Sequence, residues 1–151
     1  MSAITQRWFA FVHVEDRSGA SAALTGVFSE RGVSFGSIST LDVHAGLGTM
    51  SVEFAASERL AHVLIRTLER LAVVRSVTLI RADDARVQAV AVLTDVPADL
   101  DADARVSVHR HGDGAAAVTM LAGPLPAVDA AVAALRERGA TVEALTVLPP
   151  R

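Results

Sequence analysis

The period of apolar positions changes several times along the chain, and each change marks an element. The run Phe9 to Val14 is apolar enough for a buried strand, which is expected over Trp8 to Glu15. Glu15 to Ser18 is polar turn chemistry, and Gly19 lets the backbone come close to whatever packs above the loop. Over Gly19 to Arg31 the spacing becomes helical: Leu24, Val27 and Phe28 fall on one face. Arg31-Gly32 supplies the stop, a cation at the negative helix end and a residue able to take the left-handed cap. A second strand is expected over Val33 to Val43. A turn at His44-Ala45-Gly46-Leu47-Gly48 then leads to a third strand over Thr49 to Phe54. Met50, Val52 and Phe54 alternate with Ser51 and Glu53, as in a sheet with one wet face. Ser57-Glu58 can cap a second helix with a core stripe of Leu60, Val63, Leu64, Thr67, Leu68 and Leu71. Val73 to Ile80 closes the set. The order is βαββαβ, the ferredoxin-like split motif.

The polar segment Arg81 to Arg86 is the one stretch that suits a linker. Beyond it the pattern partly repeats. Val87 to Thr94 reads as a strand, and Arg105 to Arg110 with Ala116 to Ala122 as a hairpin around Gly112-Asp113-Gly114. Pro126 to Arg138 reads as a helix with Val128, Val132 and Leu135 inward, ended by Gly139, and Val142 to Leu148 as the last strand. The first helix is missing. Its place is taken by the acidic stretch Asp95 to Asp103, too short for a packed helix. The expected class is α+β: two tandem ferredoxin-like modules with antiparallel sheets, 1–82 and 83–151, the second degenerate.

Composition narrows the function. The 151 residues are 51% apolar, enough for a proper core, and only 4% aromatic, so that core must be mostly Val, Leu, Ala and Ile. A net charge of −3 argues against a nucleic-acid partner, which needs a basic face. With no cysteine, disulfides, thiol catalysis and Cys-based zinc sites are excluded. No apolar run reaches membrane-spanning length and Met1 to Arg7 lacks a signal-peptide core, so a soluble, cytoplasmic protein is expected, with no membrane partner.

The stretch Val14 to Ile38 carries a likeness. Gly26-Val27-Phe28-Ser29-Glu30-Arg31-Gly32 and Ser37-Ile38, continued by Leu68-Glu69-Arg70-Leu71 and Val74-Arg75-Ser76-Val77, resemble the ACT domain. Within that group they are most like the regulatory small subunit of acetolactate (acetohydroxyacid) synthase. The resemblance covers about the first half of the chain; the second half shows no signature of that subunit. It implies a non-enzymatic regulatory protein that needs no cofactor. Such a protein would form a homodimer, bind a small amino acid or related effector, and act on a partner such as a biosynthetic catalytic subunit. The ligand would sit between the first loop of one module and the second strand of another. Here those positions are Asp16, Arg17, Ser18, Gly19 and Ala20, faced by Ser34 and Phe35. Amides of Gly19 and Ala20 would receive a carboxylate, and Asp16 would accept from an ammonium. The family has asparagines where Asp16 and Ser34 stand and a proline where Ser18 stands. Ionised aspartate only accepts, so the ligand differs from a branched-chain amino acid or the pocket has lapsed. In the latter case the loop is a plain turn and the chain a ligand-free interaction or assembly module.

An enzyme reading would rest on His109 and His111, two apart on a strand with Asp113 nearby. Two ligands do not close a metal site, and polar residues on a hairpin rim explain them more simply. His13 reads as a hydrogen-bonded sheet residue, His44 as a turn residue and His62 as exposed. Gly46-Leu47-Gly48 lacks the third glycine of a dinucleotide fingerprint. The acids Asp95, Asp99, Asp101 and Asp103 lack the closing glutamate of a calcium loop.

Overall fold

The computed structural model describes residues 4–150. The chain divides into two compact units, one up to Ala82 and one from Asp83. The first runs β1 (Gln6–Glu15), α1 (Ala20–Glu30), β2 (Phe35–His44), β3 (Leu47–Ala56), α2 (Glu58–Glu69) and β4 (Val74–Arg81). The second runs β5 (Gln88–Thr94), β6 (Ser107–His111), a short 3-10 turn (Gly114–Ala116), β7 (Val118–Pro124), α3 (Leu125–Glu137) and β8 (Thr141–Leu148). Each unit forms a four-stranded sheet, in orders β2-β3-β1-β4 and β6-β7-β5-β8, and every pairing is antiparallel. The tandem ferredoxin-like architecture is therefore observed, with no helix between β5 and β6.

In the first unit, alternate residues of β1 (Trp8, Ala10, Val12, Val14) meet Val52 and Phe54 of β3 and both helices in one core. Leu24, Val27 and Phe28 enter it from α1 as their spacing requires, and Phe28 lies 5.1 Å from Phe54 between ring centres. The Trp8 indole N–H donates to the Ala56 carbonyl at 3.0 Å, so the buried ring keeps its polar atom satisfied. On α2 the buried face differs from the stripe read in the sequence. Ala61 and Ile65 join Leu64 and Leu68 inside, while Val63 and Thr67 lie half-buried at its border. The cause is double packing: α2 touches α1 as well as the sheet, so its buried arc extends around the helix.

The helix ends follow the sequence closely. The Ser57 hydroxyl caps α2 by accepting the Leu60 N–H at 3.2 Å. Gly32 (φ 66) and Gly139 (φ 95) are left-handed, and each lets the next residue close the preceding helix. Val33 N–H reaches the Phe28 carbonyl at 2.9 Å, and Ala140 N–H the Leu135 carbonyl at 3.0 Å.

In the second unit, α3 packs on β5, β7 and β8 through Leu125, Val128, Val132 and Leu135. Residues 95–106 stand where a first helix would be, and arginines clip them down. The Arg110 guanidinium donates to the carbonyls of Val96 and Pro97, and Arg138 donates to Asp99 at 2.7 Å. Gly123 makes room for this segment: a Cβ there would lie 2.6 Å from the Arg105 carbonyl oxygen. The tetrapeptide Asp-Ala-Arg-Val occurs at 84–87 and again at 103–106, and folds alike both times. The aspartate carboxylate accepts from the arginine backbone N–H (2.9 and 2.8 Å) and from its Nε (3.1 Å in each). The aspartate carbonyl then accepts the valine N–H, at 3.1 and 2.9 Å. These hydrogen bonds to the carboxylate hold Asp84 and Asp103 down to about 2.

Candidate functional site

The loop between β1 and α1 is positioned by its backbone. Glu15 N–H donates to the Val73 carbonyl at 2.8 Å, Asp16 N–H to the Gly46 carbonyl at 2.9 Å, and Arg17 N–H to the Glu15 carbonyl at 3.0 Å. Gly19 sits at the helix N-cap with φ 87, a conformation that favours glycine. No side chain caps α1 and no acid lies in its first turn. One expectation changes. The Ala20 N–H donates to the Arg17 carbonyl at 3.2 Å, so the turn itself occupies it and Ala20 is not a ready donor for a ligand.

Glu15, Asp16 and Arg17 line an open cleft of about 680 Å³, walled by the hairpin turn Ala45-Gly46-Leu47 and by Arg75. Two cations converge on Glu15 from its two oxygens: Arg75 at 2.8 Å and Arg17 at 3.3 Å. Arg75 reaches there because of a β-bulge. His13 pairs with Ser76 and Val14 with Val74, which leaves Arg75 as the extra residue on β4. Bulges re-aim a side chain in this way. The opposite wall carries strain, since Ala45 holds a left-handed φ of 52 without being glycine.

Ser34 and Phe35 lie elsewhere. With Ser29, Gly32 and Val33 they line a separate cleft at the other end of α1. That helix has 11 residues, about 16 Å of rise. Within one unit the structure therefore does not bring the seven residues together. Phe35 packs edge-on against Phe28 at 6.3 Å yet stays 36% exposed. It opens β2, which lies at the sheet edge with every residue exposed or half-buried.

The histidines are dispersed. His13 shares a hydrogen bond with the Thr49 hydroxyl at 3.2 Å, as a sheet residue. His62 is exposed, edge-on to Trp8 at 6.3 Å. His109 and His111 lie exposed on the edge strand β6, opposite Met120 and Val118. Among the described residues no three His, Cys, Asp or Glu side chains gather as metal ligands would. Among them too, no helix is long and apolar enough to cross a membrane.

Neither a family model nor a curated protein matches the chain. Solved structures do. The fold is similar to that of the acetolactate synthase small subunit from Thermotoga maritima, at 17% identity over 94% of this chain and 92% of that one, with a TM-score of 0.64. It is matched less closely by the ligand-free regulatory subunit of aspartate kinase from Thermus thermophilus (15% identity, 89% of this chain and 93% of that one, TM-score 0.49). The tandem ferredoxin-like architecture expected from the repeating element pattern is thus borne out as a fold. Two features of the cleft escaped the sequence reading, Arg75 and the strained wall at Ala45. A bulge is a property of strand register, and nothing in the apolar pattern around Val74-Arg75-Ser76 announces it.

Proposed function

We propose that this chain is a non-enzymatic, cytoplasmic regulatory protein that binds a small amino acid or related effector and passes its state to a partner enzyme. One observation carries this reading: the two halves of the expected site lie at opposite ends of an exposed edge strand, β2. An edge strand offers unpaired N–H and C=O groups to another strand. If two copies pair antiparallel along β2 about a twofold axis, the Phe35 end of one comes beside the His44 end of the other. Ser34 and Phe35 of a second copy then close the cleft at Asp16 and Arg17, with Ser18 and Gly19 following in the same loop. A homodimer thereby completes two equivalent sites. The fold likeness to a synthase small subunit supports the regulatory role. Effector and partner enzyme then influence each other's affinity by the same factor.

The test is a thermal-shift screen against the common amino acids, with the oligomeric state measured by light scattering. A ligand that binds only the folded form stabilises it by about 2.7 kcal/mol at a hundred times its dissociation constant. The expected result is a dimer whose melting temperature rises with one class of amino acid, an effect lost in Asp16→Ala. A dimer that responds to none at millimolar concentration would instead be an assembly module without a small ligand.

A further inference from the structure

The cleft at the end of β1 has a charge pattern more specific than a general effector site requires. It holds two carboxylates, Glu15 and Asp16, and two guanidinium groups, Arg17 and Arg75. The four formal charges sum to zero. A bare anion would meet Glu15 and Asp16, and a bare cation would meet Arg17 and Arg75. A small molecule carrying both signs close together meets neither penalty. We infer that this corner grips the zwitterionic head of a free amino acid, with Arg17 and Arg75 as its carboxylate clamp and Asp16 as the acceptor for its ammonium.

The geometry supports each role. Arg17 and Arg75 already converge on one carboxylate, Glu15, the arrangement a ligand's carboxylate needs. Arg75 approaches Glu15 through a terminal nitrogen and Arg17 through Nε, and a guanidinium carries five N–H donors in a planar fork. Both arginines are more than half exposed, so a ligand can approach from solvent. Arg75 comes from a β-bulge, and the backbone of Asp16 is anchored by its N–H donating to the Gly46 carbonyl. Beside them Leu47 stands 43% exposed, an apolar surface for the ligand's side chain.

The second unit supplies an internal contrast. Its strands β5 and β8 carry the same bulge: Val92 pairs with Ala144 and Leu93 with Val142, leaving Glu143 as the extra residue. Glu143 accepts from the Thr94 hydroxyl at 2.8 Å. There an acid stands where the first unit has Arg75, and no carboxylate clamp can form on it.

This inference rests on the amino-acid reading above and assigns its recognition to residues within one copy. The probes are the common amino acids, followed by calorimetry with the strongest responder and with its α-carboxamide. Arg17→Gln and Arg75→Gln should each weaken binding of that amino acid by about ten-fold, the scale of a charge-assisted hydrogen bond. The carboxamide should bind the native protein no better than the amino acid binds those variants. Glu143→Gln should bind as the native protein does. Melting of each ligand-free variant checks that it is folded, and either arginine variant alone suffices. Native affinity in the folded variants, or full binding of the carboxamide, would overturn the clamp and leave the sensor reading standing. No response of the native protein to any amino acid would overturn both.

Discussion

The two units share strand order and connection order, and both bulge at the equivalent place in the pairing of their first and last strands. They differ in what fills two positions. Between its first two strands the first unit has α1, and the second has an irregular segment held by Arg110 and Arg138. In the bulge the first unit has Arg75 and the second Glu143. The sheets need only apolar alternation and register, which both halves keep. Charge at the bulge and order in the following loop are free to diverge because neither is required to close the sheet. Chemistry is thus grafted on a fold that tolerates its absence.

The most severe way to break the comparison is to remove the anchor of α1. Phe28 is fully buried among Leu24, Phe54 and Leu64, so Phe28→Ala should cost about 3–5 kcal/mol in denaturant unfolding. The irregular segment of the second unit has no aromatic counterpart. A loss near 1 kcal/mol would mean that α1 contributes little more than that segment does, and the contrast between the units would fall.

The elements themselves were legible because their signals are local. Gly32 and Gly139 stop helices by conformation, Ser57 starts one by its hydroxyl, and Leu24, Val27 and Phe28 point inward by spacing alone. The missing helix was legible from the acids between Asp95 and Asp103. What stayed hidden was tertiary. The inward turn of Ala61 and Ile65 depends on a neighbouring helix, and the emergence of Arg75 depends on a one-residue slip between strands. The distance between Asp16 and Ser34 follows from the length of α1, whose 11 residues rise about 16 Å, more than a small amino acid spans.

A milder test concerns the segment that replaces the helix. Arg110→Ala removes the donor that holds the Val96 and Pro97 carbonyls. The expected loss is about 1 kcal/mol, with faster amide exchange confined to residues 96–106. Unchanged exchange there would show that the segment is held by its backbone alone, and Arg110 would lose its role as the substitute for helix packing.

The smallest effect tests how far local sequence decides. Asp84 and Asp103 sit in identical Asp-Ala-Arg-Val turns, and in both the hydrogen bonds from the arginine two residues on lower the carboxyl to about 2. An unfolded aspartate titrates near 3.9. A carboxyl lowered by folding stabilises the folded state above its unfolded value, and that contribution is lost as the pH falls through about 2. Both groups are open to solvent, so the loss should appear in the turns before it appears in global stability. Carboxyl resonances followed from pH 5 downward should give the two aspartates coincident midpoints near 2, and Arg86→Ala should raise only the first. If Asp103 titrated apart from Asp84, the clipped segment around it would be setting its chemistry. The twin turns would then differ for the reason the two units do: the same local sequence answers to the loop that carries it.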